Sequence, residues 1–344
     1  MTLACPTPHH EDDVVLLAHG AGGRLTAELL DTLVLPTLDG QHGALEDAAL
    51  LPGHPDLVIS TDSFVVSPLF FPGGDIGSLS VHGTVNDLAM RGARPIALSV
   101  ALIIEEGLPL GQLRDVLGSL GKAAREAGVP VVTGDTKVVG RGAVDKIFVN
   151  TTGIGQRHLA LRPSAALARP GDAVLLSGPI GLHGTTVLST REGLGFESDI
   201  VSDSRPLHRL VDALAPFGQQ VHTLRDPTRG GLAAALNEIA RDASVPVEID
   251  EEAVPVPRAV AAACDLLGLD PLVVANEGCL VAFVAAPAAD GALDALRSLP
   301  EGREAARIGR VLAYGAEGRG TLRTLVGARR VVEMPLGEQL PRIC

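Results

Sequence analysis

Lysine is almost missing from this chain. Of its 28 basic residues only Lys122, Lys137 and Lys146 are lysines, against 25 arginines. Surface positive charge therefore defaults to arginine, and a retained lysine marks a place where a compact ammonium with a shiftable pKa can matter. Lys122 sits in an exposed-helix pattern, which accounts for it without any function. Lys137 sits in Gly134-Asp135-Thr136-Lys137, a more suggestive setting.

Clusters of cations are missing as well. The 344 residues carry a net charge of −13 with no run of Lys or Arg. A sequence-independent grip on phosphates needs grouped cations, so neither a nucleic acid nor an anionic membrane is an expected partner. Cysteine is sparse: Cys5, Cys264, Cys279 and Cys344, with no CxxC pair. That excludes a disulfide framework and a cysteine zinc site, and Cys5 with His9 and His10 reads as a polar terminal segment. The longest apolar stretches, 97–104 and 279–289, fall well short of the roughly 20 residues that span a bilayer. The opening MTLACPTPHHEDD lacks both a basic region and an apolar core, so no secretory or lipoprotein signal is expected and the expected location is the cytoplasm. No GxxxxGK[ST] or GxGxxG occurs; the glycine-rich Ala18-His19-Gly20-Ala21-Gly22-Gly23 matches neither. Any ATP site must be built another way.

What is present is apolar sequence in quantity, 46% hydrophobic against 20% charged, enough for large cores and for two or three domains. After an extension and glycine-rich loop over 1–42, the pattern alternates strand and helix. Strands are expected at 57–61, 95–105, 129–133 and 145–152, and helices at 77–91 and 110–127, the latter stopped by Gly128. This defines an α/β domain over about 43–155. A polar, proline-containing connector, 161–171, marks the boundary. A second α/β domain over about 160–330 is expected, with strands at 172–177 and 278–286 and helices at 183–192, 204–215, 229–241 and 288–298. The tail 333–344 has two prolines and a glycine. It suits neither helix nor central strand, and extended it reaches about 40 Å. It reads as a mobile arm ending in a thiol, whose pKa its own α-carboxylate raises and Arg342 partly restores.

Five polar clusters interrupt the apolar elements. Thr61-Asp62-Ser63 lies at a strand exit, where an aspartate is often just a turn residue. Asn86-Asp87 lies mid-helix; an Asp87–Arg91 pair one turn apart is the plain explanation, and a bound ligand is the other. Gly134-Asp135-Thr136-Lys137 combines a flexible backbone, a carboxylate, a hydroxyl and a rare lysine, which suits magnesium and phosphates; a simple turn would also explain it. Asp226-Pro227-Thr228-Arg229-Gly230-Gly231 reads as a helix start with aspartate at the cap. Asn276-Glu277-Gly278 reads as a turn. Taken together, separated carboxylates with glycines and a lysine are what magnesium-dependent phosphoryl chemistry asks for.

The segments AHGAGG, STDSFVVSPLFFPGGDIG, GTVNDLAMRGARP, EEGLP, VTGDTKVVGRGAVDK, LRDPTRGG, ANEG and the terminal PRIC closely resemble the HypE family of hydrogenase maturation carbamoyl dehydratases, from about residue 14 onward. The resemblance implies the two-domain α/β fold of aminoimidazole ribonucleotide synthetase and selenophosphate synthetase, with the N-terminal domains of a homodimer pairing into a barrel. It also implies a reaction: a HypF-type carbamoyltransferase loads the C-terminal thiol, ATP-dependent dehydration turns S-carboxamide into thiocyanate, and the nitrile passes to a HypC–HypD complex for the iron of [NiFe]-hydrogenase. By the same resemblance Asp62, Asp87 and Asp226 hold magnesium, Asn86, Gly134, Asp135 and Thr136 surround the triphosphate, Lys137 neutralises developing charge, Glu277 is the base and Cys344 carries the substrate. Two rivals are a phosphotransferase for a free small molecule, like thiamine monophosphate kinase, and a non-catalytic thiol carrier. The terminal PRIC speaks against the first, and the intact acidic set with Lys137 against the second.

Overall fold

The computed structural model describes residues 19, 23–37, 46–51, 53–194, 200–313, 318–335, 340 and 342–344. Most of the 18–23 loop and of the 1–42 extension, including Cys5, lies outside the described residues, as do 336–339 and 341 of the tail. The chain begins with α1 (Arg24–Leu29), a π-helical turn and α2 (Leu35–Thr37).

The first sheet is made by β1 (Ala49–Leu51), β2 (His54–Phe64), β5 (Ala93–Glu105), β6 (Val131–Val139) and β7 (Ile147–Arg157), with a small hairpin, β3 (Phe70–Phe71) and β4 (Gly74–Asp75), beside it. Its order is β1-β2-β7-β5-β6, antiparallel except that β6 runs parallel to β5. Helix α3 (Ile76–Met90) starts where Asp75 accepts the N–H groups of Gly77 at 2.7 Å and Ser78 at 3.0 Å, while Ser78 Oγ takes the Asp75 N–H, a reciprocal cap. It is buried along nearly its whole length. Val58, Ser60 and Phe64 of β2 and Leu98, Val100 and Leu102 of β5 are buried at alternate positions on its side of the sheet. Helix α4 (Leu110–Glu126) packs on α3 and ends at Gly128, φ +67°. The opposite sheet face is open: Ile103 and Ile154 are exposed there, and Val131, Val132 and Val138 are exposed along the edge strand β6.

The second sheet has β8 (Ala173–Leu176), β9 (Val221–Arg225), β10 (Val247–Asp250), β11 (Val281–Val284), β12 (Ala306–Val311), β13 (Gly320–Arg323) and β14 (Arg329–Val331), in the order β14-β13-β10-β12-β8-β11-β9. Four-residue strands that are buried throughout, such as β8 and β11, sit between helical layers. Helix α7 (Gly231–Asp242) covers one face, and α6 (His208–Leu214) and α9 (Ala289–Arg297) the other. Helices α5 (Leu182–Glu192) and α8 (Arg258–Leu267) extend the core of the first domain, which also takes in Leu340 and Ile343 of the tail.

Three expected boundaries move for identifiable reasons. The strand at 129–133 continues through Gly134-Asp135-Thr136-Lys137, because β6 pairs with β5 along its whole length. The helix expected at 204 begins at His208, since Ser204 and Arg205 are held in loop contacts and the residue before Pro206 disfavours helix. The strand expected over 278–286 spans 281–284, because Asn276–Gly278 are committed to loop hydrogen bonds.

His82 of α3 joins the domains: it is 7% exposed and its Nδ1 lies 2.9 Å from Ser204 Oγ. Burial pushes its pKa from 6.5 down to about 4. The unfolded chain takes up this proton near 6.5 and the folded chain only near 4, so the stability contributed by a neutral His82 is complete above 6.5 and is lost as pH falls through that window. The loss is roughly 3 kcal/mol. His82→Gln keeps a partner for Ser204 without titrating, so urea unfolding of this variant should lose roughly 3 kcal/mol less between about pH 7 and 4 than the parent does.

Candidate active site

Between the two domains lies a cavity of about 450 Å³. The first domain lines it with Asp47, ahead of β1, with Asp62 of β2 and with Asp87 of α3; the second contributes Asp226, Arg229 and Glu277, and Cys344 reaches it from the tail.

Close packing sets these positions. A Cβ at Gly83 would fall 2.8 Å from the Phe64 ring, so glycine lets α3 lie directly on β2. One turn later Asp87 accepts the Ser60 hydroxyl at 2.5 Å. Arg91, which the sequence reading paired with Asp87, instead binds Glu46 at 2.7 Å. Glu46 also accepts the Ser164 hydroxyl and the Ala165 N–H, and this anchor presents the adjacent Asp47 to Arg225, whose Nε is 3.1 Å away. Asp226 is not a helix cap, contrary to expectation: α7 starts at Gly231, after Gly230 at φ +78°. A Cβ at Gly231 (φ +62°) would lie 2.5 Å from the Leu272 carbonyl, so the helix must open on glycine, leaving Asp226 turned to the cavity. The Asn276 amide donates to the Pro227 carbonyl at 2.8 Å and accepts the Gly181 N–H at 2.6 Å. Asp203 accepts the N–H groups of Glu277 and Gly278. These bonds tie the Asp226–Arg229 loop to the Glu277 loop.

The carboxylates of Asp47, Asp87 and Asp226 offer oxygens that all lie within 4.8 Å of one another. Burial, opposed by Arg225 and reinforced by Asp226 and the nearby glutamates, pushes Asp47 up to about 8. Burial raises Asp226 to about 6. Asp87 is pushed well above the usual carboxylate range by burial and then by Asp226, Asp62 and Asp47. Glu277 is raised by burial and then by Asp226, Asp203 and Asp62, against Arg229. Burial also raises Asp62, with Arg229 opposing. Asp47 Oδ2 and Asp226 Oδ2 are buried without a hydrogen-bond partner. Crowded, oxygen-only, negatively charged groups with orphaned acceptors fit a hard divalent cation. Besides Arg225, the cavity wall carries Arg229, whose pKa is raised first by the negative charge of Cys344 and also by Asp62, Glu277 and Asp87.

Of the residues singled out in the sequence, the structure brings together Asp62, Asp87, Asp226, Glu277 and Cys344. It does not bring in Asn86, whose amide is spent on the backbone of Arg205, Glu277 and Leu207. Nor does it bring in Gly134, Asp135, Thr136 and Lys137, which lie exposed on β6 at the far edge of the sheet, with Lys137 paired to Asp135 at 3.2 Å. Gly134 serves a close approach, since a Cβ there would lie 2.3 Å from the Val100 carbonyl. Arg342, expected to act on the thiol, faces Asp145 and the Val65 carbonyl instead. The charged cavity residues Glu46, Asp47, Arg225 and Glu238 escaped the sequence reading, and the role of Arg229 did too. Asp47 is signalled only by an acidic pair before an apolar run, and Arg229 was hidden in a motif read as a helix start.

A family model described as AIR synthase related protein, N-terminal domain, matches residues 45–156, and the corresponding C-terminal domain matches 169–319. The carbamoyl dehydratase HypE of Cupriavidus necator is 53% identical, over 95% of this chain and 94% of its own. A crystal structure of HypE in complex with ATP is 51% identical and superimposes with a TM-score of 0.82, covering 96% of this chain and all of that one. HypE in a HypE–HypF complex is 46% identical, with a TM-score of 0.86 over 89% of this chain and 99% of that one. The fold, a cavity of clustered carboxylates and a cysteine at the chain end thus coincide with near full-length identity, and the chain belongs to the HypE family of carbamoyl dehydratases.

Proposed function

We propose that this protein dehydrates a carboxamide carried on its own Cys344 to a thiocyanate, using ATP, as a [NiFe]-hydrogenase maturation factor in the cytoplasm. The observation that carries this reading is the chain end itself: Cys344 lines the same cavity as the acidic cluster, Glu277 and Arg229. A phosphotransferase for a free small molecule has no use for a thiol tail seated there.

Hydroxide is a poor leaving group, so the carboxamide oxygen attacks the γ-phosphorus of ATP and the C–O bond later breaks with phosphate as the leaving group. Arg229 lines the same cavity as Cys344 and steadies negative charge that develops there. Glu277 takes the N–H proton as the nitrile forms; its raised pKa makes it a stronger base once ionised. Asp47, Asp87 and Asp226, with Asp62 beside them, would hold magnesium, which supplies charge neutralisation for the phosphates.

Lys137 and Asp135 stand on an open sheet face with exposed Ile103 and Ile154 at its surface. A half-covered sheet with an exposed edge strand favours a covering partner, and we assign it to a second copy of this chain, each copy lending β6 to its mate's nucleotide. A HypF-type carbamoyltransferase loads Cys344, and a HypC–HypD complex takes the product.

Mass spectrometry of the C-terminal peptide tests the reading: Cys344 should gain a carboxamide with the transferase, then lose one water with magnesium and ATP. Glu277→Gln should bind ATP normally yet accumulate the carboxamide. Lys137→Ala should slow the second step by about 10²–10³, the usual value of one preorganised cation. Thiocyanate formed by Glu277→Gln at the parent rate would move the base to another carboxylate.

A further inference from the structure

The chain end has two tasks that conflict. Its thiol must leave to be loaded and must return to be dehydrated. The returned position is held by contacts that lie outside the cavity and address the tail's backbone. Val65 donates its N–H to the Cys344 main-chain oxygen at 3.1 Å, and Ser67 donates to the Arg342 carbonyl at 3.1 Å. From the other side α5 closes on Ile343 and Arg342. His183 Nε2 lies 2.6 Å from the Ile343 carbonyl. Arg191 donates from one nitrogen to the Arg342 carbonyl at 2.7 Å and from another to the Ser67 carbonyl at 2.8 Å. One guanidinium therefore ties the tail to the loop on which it lies.

The chemistry of His183 leaves it a single assignment. The ring is fully buried, and its Nδ1 lies 2.8 Å from Ser202 Oγ. A backbone carbonyl only accepts, so the proton sits on Nε2 and Nδ1 accepts the Ser202 hydroxyl. Phe71 meets the ring edge-on at 5.4 Å and keeps it from turning. Arg342 is held at φ +53°, a left-handed conformation that a non-glycine residue keeps only where its surroundings impose it. Gly184, next to His183, makes room for the tail: a Cβ there would fall 3.1 Å from Leu340.

We propose that His183 and Arg191 are positioning residues that clamp the chain end by its carbonyls, so that the last side chain is presented to the cavity beside Arg229 whatever its sulfur carries. The clamp binds backbone and leaves the Cys344 side chain to change from thiol to carboxamide to nitrile without losing its hold. This inference rests on the carbamoyl dehydratase reading. It adds that α5 acts on dehydration and not on loading.

The test separates the two steps. Full-length protein is loaded by the carbamoyltransferase, purified, and given magnesium and ATP, with water loss followed on the C-terminal peptide. His183→Ala should lower the rate of water loss about tenfold, the effect of one lost hydrogen bond. Its KM for ATP should not change, and its loading rate should be equal to or above that of the parent. His183→Gln, which offers an amide N–H in place of Nε2, should recover most of the rate. Arg191→Lys should not recover, because an ammonium cannot reproduce the fork to two carbonyls; it also keeps the test open if His183→Ala folds poorly. Dehydration by both His183→Ala and Arg191→Lys at the parent rate would overturn the clamp, and so would a parallel fall in loading and water loss that His183→Gln does not relieve. Failure of the parent itself to lose water would instead overturn the dehydratase reading.

Discussion

Asp87→Asn should lower magnesium-dependent ATP turnover by at least about 10²–10³-fold while making the folded protein more stable. The two signs follow from one fact. Asp87 is held among Asp47, Asp62 and Asp226, and burial together with these neighbours drives its pKa well above the usual range. Like charges in a buried site oppose folding and are retained for what they bind. Asparagine keeps the size and can still accept the Ser60 hydroxyl, which now lies 2.5 Å from the carboxylate, but it removes the charge that a hard cation needs. Relief of repulsion should raise Tm, by about 2–4 °C for each kcal/mol gained in domains of this size. Magnesium should raise the Tm of the parent and not that of the variant. Asp47→Asn should behave alike, because Asp47 and not Asp62 completes the group within 4.8 Å. Calorimetry with and without magnesium, beside a phosphate-release assay, reads all of these. Full turnover in a folded Asp87→Asn protein would remove the cation from this cluster.

The contrast between Asp47 and Asp87 marks where the sequence is legible. Helix α3 and strands β2 and β5 are legible to within a few residues, the strands because inward positions alternate and α3 because its run is apolar on nearly every side. Asp87 stands out because a paired polar dipeptide on an apolar helix demands an explanation. Asp47 has no such frame: it reaches the cavity through Glu46, Arg91, Ser164 and Arg225, residues scattered over both domains. Only the fold makes them neighbours. Arg229 was obscured in the opposite way, since proline and glycine after an aspartate mimic a helix start, and two left-handed glycines move that start beyond it. Gly134–Lys137 reads as a phosphate turn in one dimension and is an edge strand in three. Its rare lysine is a signal that acquires a meaning only under the proposed pairing with a second copy of the chain. Asn86 shows that even a sound alarm can name the wrong atom: the dipeptide it shares with Asp87 faces two ways, one residue to the cavity and the other to the domain junction.

Replacing Cys344 with alanine should leave folding and ATP binding close to those of the parent and should eliminate acceptance of the carbamoyl group altogether. The tail is held by Leu340 and Ile343, 6% and 5% exposed within the first core, and by main-chain bonds to Val65 and Ser67. None of these contacts uses sulfur, and alanine keeps part of the half-buried side chain's packing against the first core, so the substitution costs little stability. The other described cysteines cannot substitute. Cys264 and Cys279 are each 1% exposed. Burial pushes the Cys264 thiol up to about 11 and that of Cys279 well above 9, leaving almost no thiolate to react. Cys344 alone among them is half-buried, and it lines the cavity together with Arg229. Position at the very end matters as much as the element. Val65 binds the main-chain oxygen of the last residue, so a residue appended after Cys344 must place a new peptide and carboxylate against that N–H and the loop behind it. On the proposed reading, in which the tail leaves the cavity to be loaded, the extended protein should still accept the carbamoyl group and should lose water at least about tenfold more slowly. Peptide mass spectrometry after each step distinguishes the two variants: alanine blocks the first mass change, and the extension blocks the second. A carboxamide found on Cys5, Cys264 or Cys279 with Cys344 unmodified would show that the seated chain end is a structural plug, with the substrate carried elsewhere.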